Sequence, residues 1–303
     1  MRSRIVYSCR NRAEFNDFLA RHSRLIARMT LYEDGRPGDD RYIERGWCVV
    51  CDAERDFLVD DQYSWLDASG RRRRNWRERL ECQACHLNNR MRAVVQLMLG
   101  NLGAGSGGQV YVTEQITPLF TALQAQIPGL VGSEFLRDGT SRGGVNAAGI
   151  RHEDLTALSF SDGAFRCIGS FDVLEHVPDF HRGLAEFARC LEPDGWLLLS
   201  TPIFLNYDRT LVRVVLNPEG IPEHLREPEH HGDPLSADGA LCFYHFGWSL
   251  LDDLRAFGFN DPRVVLYWSR RYGHLGGFTP IILAQRKGVP RWVGPGGFGM
   301  PGS

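Results

Sequence analysis

Residues 151–204 read RHEDLTALSFSDGAFRCIGSFDVLEHVPDFHRGLAEFARCLEPDGWLLLSTPIF. Two short apolar runs, 166–171 and 196–201, have the length of strands, and the segment 180–191 between them has helical spacing. The alternation continues outward. Upstream lie an expected strand at 109–114, a helix at 118–126, a strand at 130–136 and a strand near 150. Downstream come an irregular stretch from 203 to 245, a helix at 249–257, and strands near 264–268 and 279–284. Strands and helices taken in turn predict an α/β fold, a mainly parallel sheet with helices on both faces.

Further upstream, Phe15, Leu19, Ile26 and Met29 predict one amphipathic helix over 13–29, and Met91, Val94, Val95, Met98 and Leu102 predict a second that stops at Gly103. The tail from Val289, rich in glycine and proline, is expected to be disordered.

With 303 residues, 43% apolar and 24% charged, the chain can bury one large core or one ordinary core plus a small appendage. A net charge of −2 gives no global field that would gather nucleic acid or an anionic membrane. No stretch reaches the roughly 20 apolar residues needed to span a bilayer. The opening MRSRIVYSCRNRAEF lacks the apolar core of a signal peptide, so a cytoplasmic protein is expected.

Disulfides are not expected in that compartment, so the eight cysteines need another account. Cys48 and Cys51 form one C-x-x-C pair, and Cys82 and Cys85 form another. Two such turns can close a tetrahedral zinc site, and with all four positions taken by cysteine none remains for water, which predicts a structural ion. Cys9, Cys167, Cys190 and Cys242 read as small buried apolar residues. Between the pairs runs Gly70-Arg71-Arg72-Arg73-Arg74, followed by Trp76, Arg77 and Arg79. Its acidic neighbours Asp60, Asp61, Asp67, Glu78 and Glu81 favour a solvated hairpin tip over a nucleic-acid contact.

Asp154-x-x-x-Leu158-x-Phe160-x-Asp162, then Asp172-Val-Leu-Glu-His-Val-Pro-Asp179, then Arg189-x-Leu191-x-Pro193-x-Gly195 before an apolar run resemble the class I S-adenosylmethionine (SAM) dependent methyltransferases, type 11-like. That resemblance implies a Rossmann-like sheet. It implies that Asp154 accepts from the adenine amino group, that the Leu155 backbone meets the ring edge and that Glu134 accepts the ribose hydroxyls. Glu114 stands where the family places an acid for the methionine end, and Asp172 is also counted with the cofactor residues. The departure is in the first loop, where Gln115, Ile116, Thr117 and Pro118 replace a glycine-rich turn, with Thr117 as helix cap and Pro118 in the first helical position. Gly103-Ala-Gly105-Ser-Gly-Gly108 matches G-x-G-x-x-G, but it follows a helix and precedes a strand, and so reads as a linker.

Some relatives hold a divalent metal with an acid-x-x-Glu-His cluster and a later histidine. Here that implies Asp172, Glu175 and His176 with His230 or His231. His176 is the candidate base; His230, His231 and Tyr207 are candidates from a lid over 203–247. The organisation expected is a helical segment (1–45), a zinc-ribbon-like module (46–90), a methyltransferase domain (91–288) and a tail (289–303). The function expected is methyl transfer to an oxygen or nitrogen of a small polar acceptor of the sugar or secondary-metabolite class. Two alternatives stand beside it: cyclisation of SAM with release of methylthioadenosine, and a degenerate zinc-containing nucleic-acid-binding module. The zinc module is expected to lie away from the chemistry, so that losing the ion leaves SAM affinity largely intact.

Overall fold

The computed structural model describes residues 5–34, 41–102 and 107–288. Residues 103–106 of the glycine run and the tail from 289 lie outside the described residues. The chain opens with strand β1 (Ile5–Cys9) and helices α1 (Arg12–Arg21) and α2 (Ser23–Asp34). These replace the single helix expected over 13–29. The break is at His22, whose backbone N–H and ring Nδ1 both turn back to the Phe18 carbonyl.

Strands β2 (Arg41–Cys48) and β3 (Ala53–Asp60) form a hairpin, β4 (Trp65–Leu66) and β5 (Arg72–Arg73) a smaller one, and β6 (Glu81–Cys82) adds to the free edge of β3. Helix α3 (Asn89–Leu102) leads into β7 (Gln109–Val112), α4 (Pro118–Gln124), β8 (Val131–Gly132), β9 (Phe165–Phe171), α5 (Phe180–Cys190) and β10 (Leu191–Ser200). The stretch expected to be irregular holds β11 (Leu211–Val212), β12 (Val214–Leu216), β13 (Pro222–His224), β14 (His230–Asp233), β15 (Ser236–Leu241) and β16 (Tyr244–His245). They pair as β11 with β16, β12 with β13, and β14 with β15. Helix α6 (Ser249–Ala256) and the long hairpin β17 (Phe259–Ser269) and β18 (His274–Arg286) follow.

The main sheet has the order β1-β17-β18-β10-β9-β7-β8. Strands β8, β7, β9 and β10 run parallel, while β18, β17 and β1 continue antiparallel. Successive strand residues point to opposite faces. Accordingly, Tyr111, Ile168, Leu197, Leu199, Val264 and Leu266 pack with α1, α5 and α6, while Val110, Val112, Cys167, Leu198 and Val265 pack with α3 and α4. Each Leu in the run 197–199 is fully buried, worth roughly 1.5–3 kcal/mol apiece. The strand expected at 130–136 shrinks to β8 plus an isolated parallel bridge from Glu134 to His152.

A third core, of Met29, Phe57, Val59, Leu80, Trp268 and Leu275, seats the cysteine hairpins on the β17–β18 turn. Gly46 permits this contact. A Cβ there would lie 2.7 Å from the Arg271 carbonyl oxygen, and the neighbouring Trp47 N–H donates to that same oxygen at 2.6 Å.

Candidate active site

The chain moves from β7 to β8 in one direction and from β9 to β10 in the other, so the crevice lies at the carboxyl ends of β7 and β9, where open parallel sheets bind ligands. Beyond β7, Thr117 caps α4 by accepting from the Phe120 N–H at 3.1 Å, with Pro118 behind it. The Thr117 hydroxyl donates to Glu114 Oε2. Without glycine, the turn is held from the side: Glu134 Oε1 accepts the N–H groups of Gln115 at 2.7 Å and Ile116 at 3.0 Å. The Gln115 side chain donates to the Gly149 carbonyl and accepts from the Arg151 N–H.

Three expected ligand carboxylates therefore each commit one oxygen to the protein. Glu114 Oε1 is buried without a hydrogen-bond partner. Glu134 Oε2 and Asp154 Oδ2 take no protein hydrogen bond among the described residues, while Asp154 Oδ1 is engaged by Thr156. Burial pushes the Glu114 carboxyl up to about 7 against the opposing effects of the Thr117 bond and the Arg90 charge. Leu155 is buried in the main core.

Asp172, at the end of β9, has a left-handed backbone (φ 55°), uncommon outside glycine. Its carboxylate receives Arg77 Nη2 at 2.6 and 2.8 Å, Arg90 Nε at 3.1 Å and the Ser200 hydroxyl at 2.9 Å. Burial disfavours its ionisation, but the charges of Arg77 and Arg90 outweigh that and hold it well below the usual carboxylate range. Arg77 lies between the cysteine pairs and Arg90 on α3, so the cysteine module sits on the crevice rather than away from it. Neither arginine was singled out from the sequence as a site residue; nothing in a run of arginines marks the one that reaches inward.

Glu175 and His176 lie on a single 3-10 turn (Leu174–His176) after β9. Glu175 is fully buried. Its Oε2 accepts from the Thr201 hydroxyl at 2.8 Å, whereas Oε1 has no hydrogen-bond partner. Facing Oε1 are His176 Nε2 at 3.8 Å and His231 Nδ1 at 3.6 Å. The outer nitrogens are anchored, His176 Nδ1 on the Leu241 carbonyl at 2.8 Å and His231 Nε2 on Glu229 Oε1 at 3.0 Å. The donor atoms of Glu175, His176 and His231 all lie within 4.8 Å of one another, a grouping that includes neither Asp172 nor His230. Asp172 is held by the arginines, and His230 is exposed because it points to the other side of β14. Tyr207 stacks on Phe204 (centroids 5.2 Å apart), which stacks on His245.

A second grouping, Glu229, Cys242 and His245, lies beside the first. Cys242 had read as an ordinary core cysteine; the C-x-x-H spacing of Cys242 and His245 was the available signal.

Cys48, Cys51, Cys82 and Cys85 converge within 4.8 Å, with Sγ–Sγ distances of 3.8 Å for Cys48–Cys85 and Cys51–Cys82. In both loops the residue after the second cysteine, Asp52 or His86, adopts a left-handed backbone. Arg92, fully buried beside them, donates to the carbonyls of Tyr272, Leu80 and Gly273 and stacks over Phe57. Each arginine of the run 71–74 pairs with an aspartate: Arg71 and Arg73 with Asp34, Arg72 and Arg74 with Asp61.

The seven-stranded sheet with this crevice is Rossmann-like. A family model described as a methyltransferase domain matches residues 101–261, over half of the chain, and the chain belongs to that family. Among solved structures, a SAM-dependent methyltransferase from Mesorhizobium loti is similar at 17% identity, covering 64% of this chain and 96% of its own, with a TM-score of 0.38. The 1,6-didemethyltoxoflavin-N1-methyltransferase of Burkholderia thailandensis, solved with 1,6-didemethyltoxoflavin and S-adenosylhomocysteine, shows 17% identity, 65% and 78% coverage and a TM-score of 0.37. DesVI of Streptomyces venezuelae shows 13% identity, 64% and 89% coverage and a TM-score of 0.39. No curated protein matches the chain. No helix among the described residues is long and apolar enough to cross a membrane.

Proposed function

We propose that this methyltransferase transfers the SAM methyl group to an oxygen or nitrogen of a small polar acceptor of the sugar or secondary-metabolite class. The observation that carries the acceptor side is the polar trio Glu175, His176 and His231, set under the lid next to the crevice. When bound, SAM supplies an electrophilic methyl on a sulfonium. The residues present fit it: the unpartnered buried Glu114 Oε1 suits the methionine ammonium, Glu134 Oε2 the ribose hydroxyls and Asp154 Oδ2 the adenine amino group. Displacement at the methyl depends chiefly on holding both reactants in line, which a crevice closed by a lid does. His176, with Nδ1–H given to a carbonyl, presents Nε2 to accept the acceptor's proton.

The same trio fits a divalent ion. Separations of 3.6 and 3.8 Å exceed hydrogen bonds, Glu175 Oε1 has no partner, and each histidine is oriented from behind as metal-ligating histidines are. Such an ion would act as a Lewis acid on an acceptor hydroxyl. Cys48, Cys51, Cys82 and Cys85 suit zinc, since bonds of about 2.3 Å in a tetrahedron give edges of about 3.8 Å.

Isothermal titration with SAM and S-adenosylhomocysteine, followed by mass-spectrometric screening of hydroxylated and amino acceptors, tests the reading. Folded protein that binds neither would end it. The grip of Glu134 on the first loop, which meets the methionine end of SAM in the family, favours a second reading in which SAM cyclises. Release of methylthioadenosine from SAM alone would select it.

A further inference from the structure

We propose that the lid carries a zinc site of its own, with Glu229, Cys242 and His245 as ligands and His231 as their outer partner. The three donor atoms lie within 4.8 Å of one another and come from two pieces of the lid, the base of the β14–β15 hairpin and β16. Glu229 precedes β14, Cys242 follows β15 and His245 belongs to β16. Cys242 is 0% exposed, but unlike Cys9, Cys167 and Cys190 it does not pack into the two sheet cores: its thiol donates to the Tyr244 carbonyl at 3.4 Å and lies among the donor atoms of Glu229 and His245. Glu229 in turn receives His231 Nε2 at 3.0 Å, His245 Nε2 at 3.0 Å and Arg213 at 3.1 Å. A thiol, an imidazole and a carboxylate form a borderline-soft set that suits zinc and not magnesium or calcium.

The lid's own packing is thin. Its strands have two to six residues, and between 205 and 247 the buried apolar side chains among the described residues are Val214, Cys242, Phe243 and Phe246. Isolated two-stranded hairpins are marginal in water, and an ion that ties the base of the β14–β15 hairpin to β16 supplies folding free energy. It also fixes His231, whose other nitrogen faces Glu175, so the lid ion would hold in place a residue of the acceptor site. The site stands independently of the four-cysteine cluster and of any ion at Glu175.

The test is the zinc content of full-length protein beside C242S, H245N and E175Q, with circular dichroism as the folding control. The expected result is that C242S and H245N each lose one zinc equivalent that E175Q retains. Equal zinc in wild type and C242S overturns the site, and so does zinc lost from E175Q but kept by C242S, which would place the ion at Glu175 alone. Zinc-edge X-ray absorption on the unaltered protein decides the matter even where variants misfold. Nitrogen and oxygen donors beside sulfur, persisting in E175Q, support the site; an all-sulfur shell overturns it.

Discussion

Arg77 reaches out of the cysteine module and gives both hydrogen bonds of Nη2 to Asp172, at 2.6 and 2.8 Å, where β9 ends in the crevice. The two residues are 95 positions apart in the chain, and the contact makes the module a wall of the site.

Breaking that pair from one side leaves a charge without its partner. D172N strands Arg77 and Arg90 with only Glu78 between them, and a cost of about 3 kcal/mol is expected. R77M leaves Asp172 with Arg90 and should cost less. In chemical denaturation the R77M/D172N double variant should lose less than the sum of the singles; strict additivity would show that the pair is not coupled.

If the four cysteines hold zinc as proposed, its removal should be felt at the crevice. The four cysteines anchor β2, β3 and β6, and Arg77 and Arg90 flank the last of them, so chelation or C51S should weaken S-adenosylhomocysteine binding by tenfold or more, measured by calorimetry. Unchanged affinity in metal-free protein would restore the original expectation of a remote cap.

Glu114 sets a pH dependence. Burial raises its folded-state value to about 7, above the ordinary carboxyl range, so the folded state holds a proton that the unfolded state releases. The stability this confers is full below about pH 4.5 and is lost as pH rises through 7, by roughly 3 kcal/mol. E114Q should flatten this part of the pH–stability curve. A ligand ammonium prefers the carboxylate, so S-adenosylhomocysteine affinity should rise with pH through 7 in wild type and not in E114Q. A pH-independent affinity in wild type would remove Glu114 from the ligand.

On the proposed acceptor assignment, E175Q and H231A should reduce turnover far more than they reduce SAM affinity, because Glu175 follows β9 and His231 lies on β14, neither on the loop after β7. If the trio holds an ion, added divalent metal should stimulate wild type and not E175Q. Stimulation equal in both would place the metal elsewhere.

What the sequence determined by itself was local. The alternation of strand and helix, the motif from Asp154 to Gly195, the cap at Thr117 and the two C-x-x-C turns are each written in a short stretch, because backbone periods and turn geometry are decided by neighbours. Tertiary structure decided which surfaces meet. Strand β1 exists because β17 offers an edge from Val264 to Trp268, and five residues with no partner give no signal. Paired arginines look the same in sequence as solvated ones. Only docking turned Arg71–Arg74 onto Asp34 and Asp61 while sending Arg77 to Asp172. Likewise Glu134 stands where the resemblance expects a ribose ligand, but one of its oxygens goes to the backbone of the glycine-free first loop. That exchange became visible only when β7 and β8 were laid side by side.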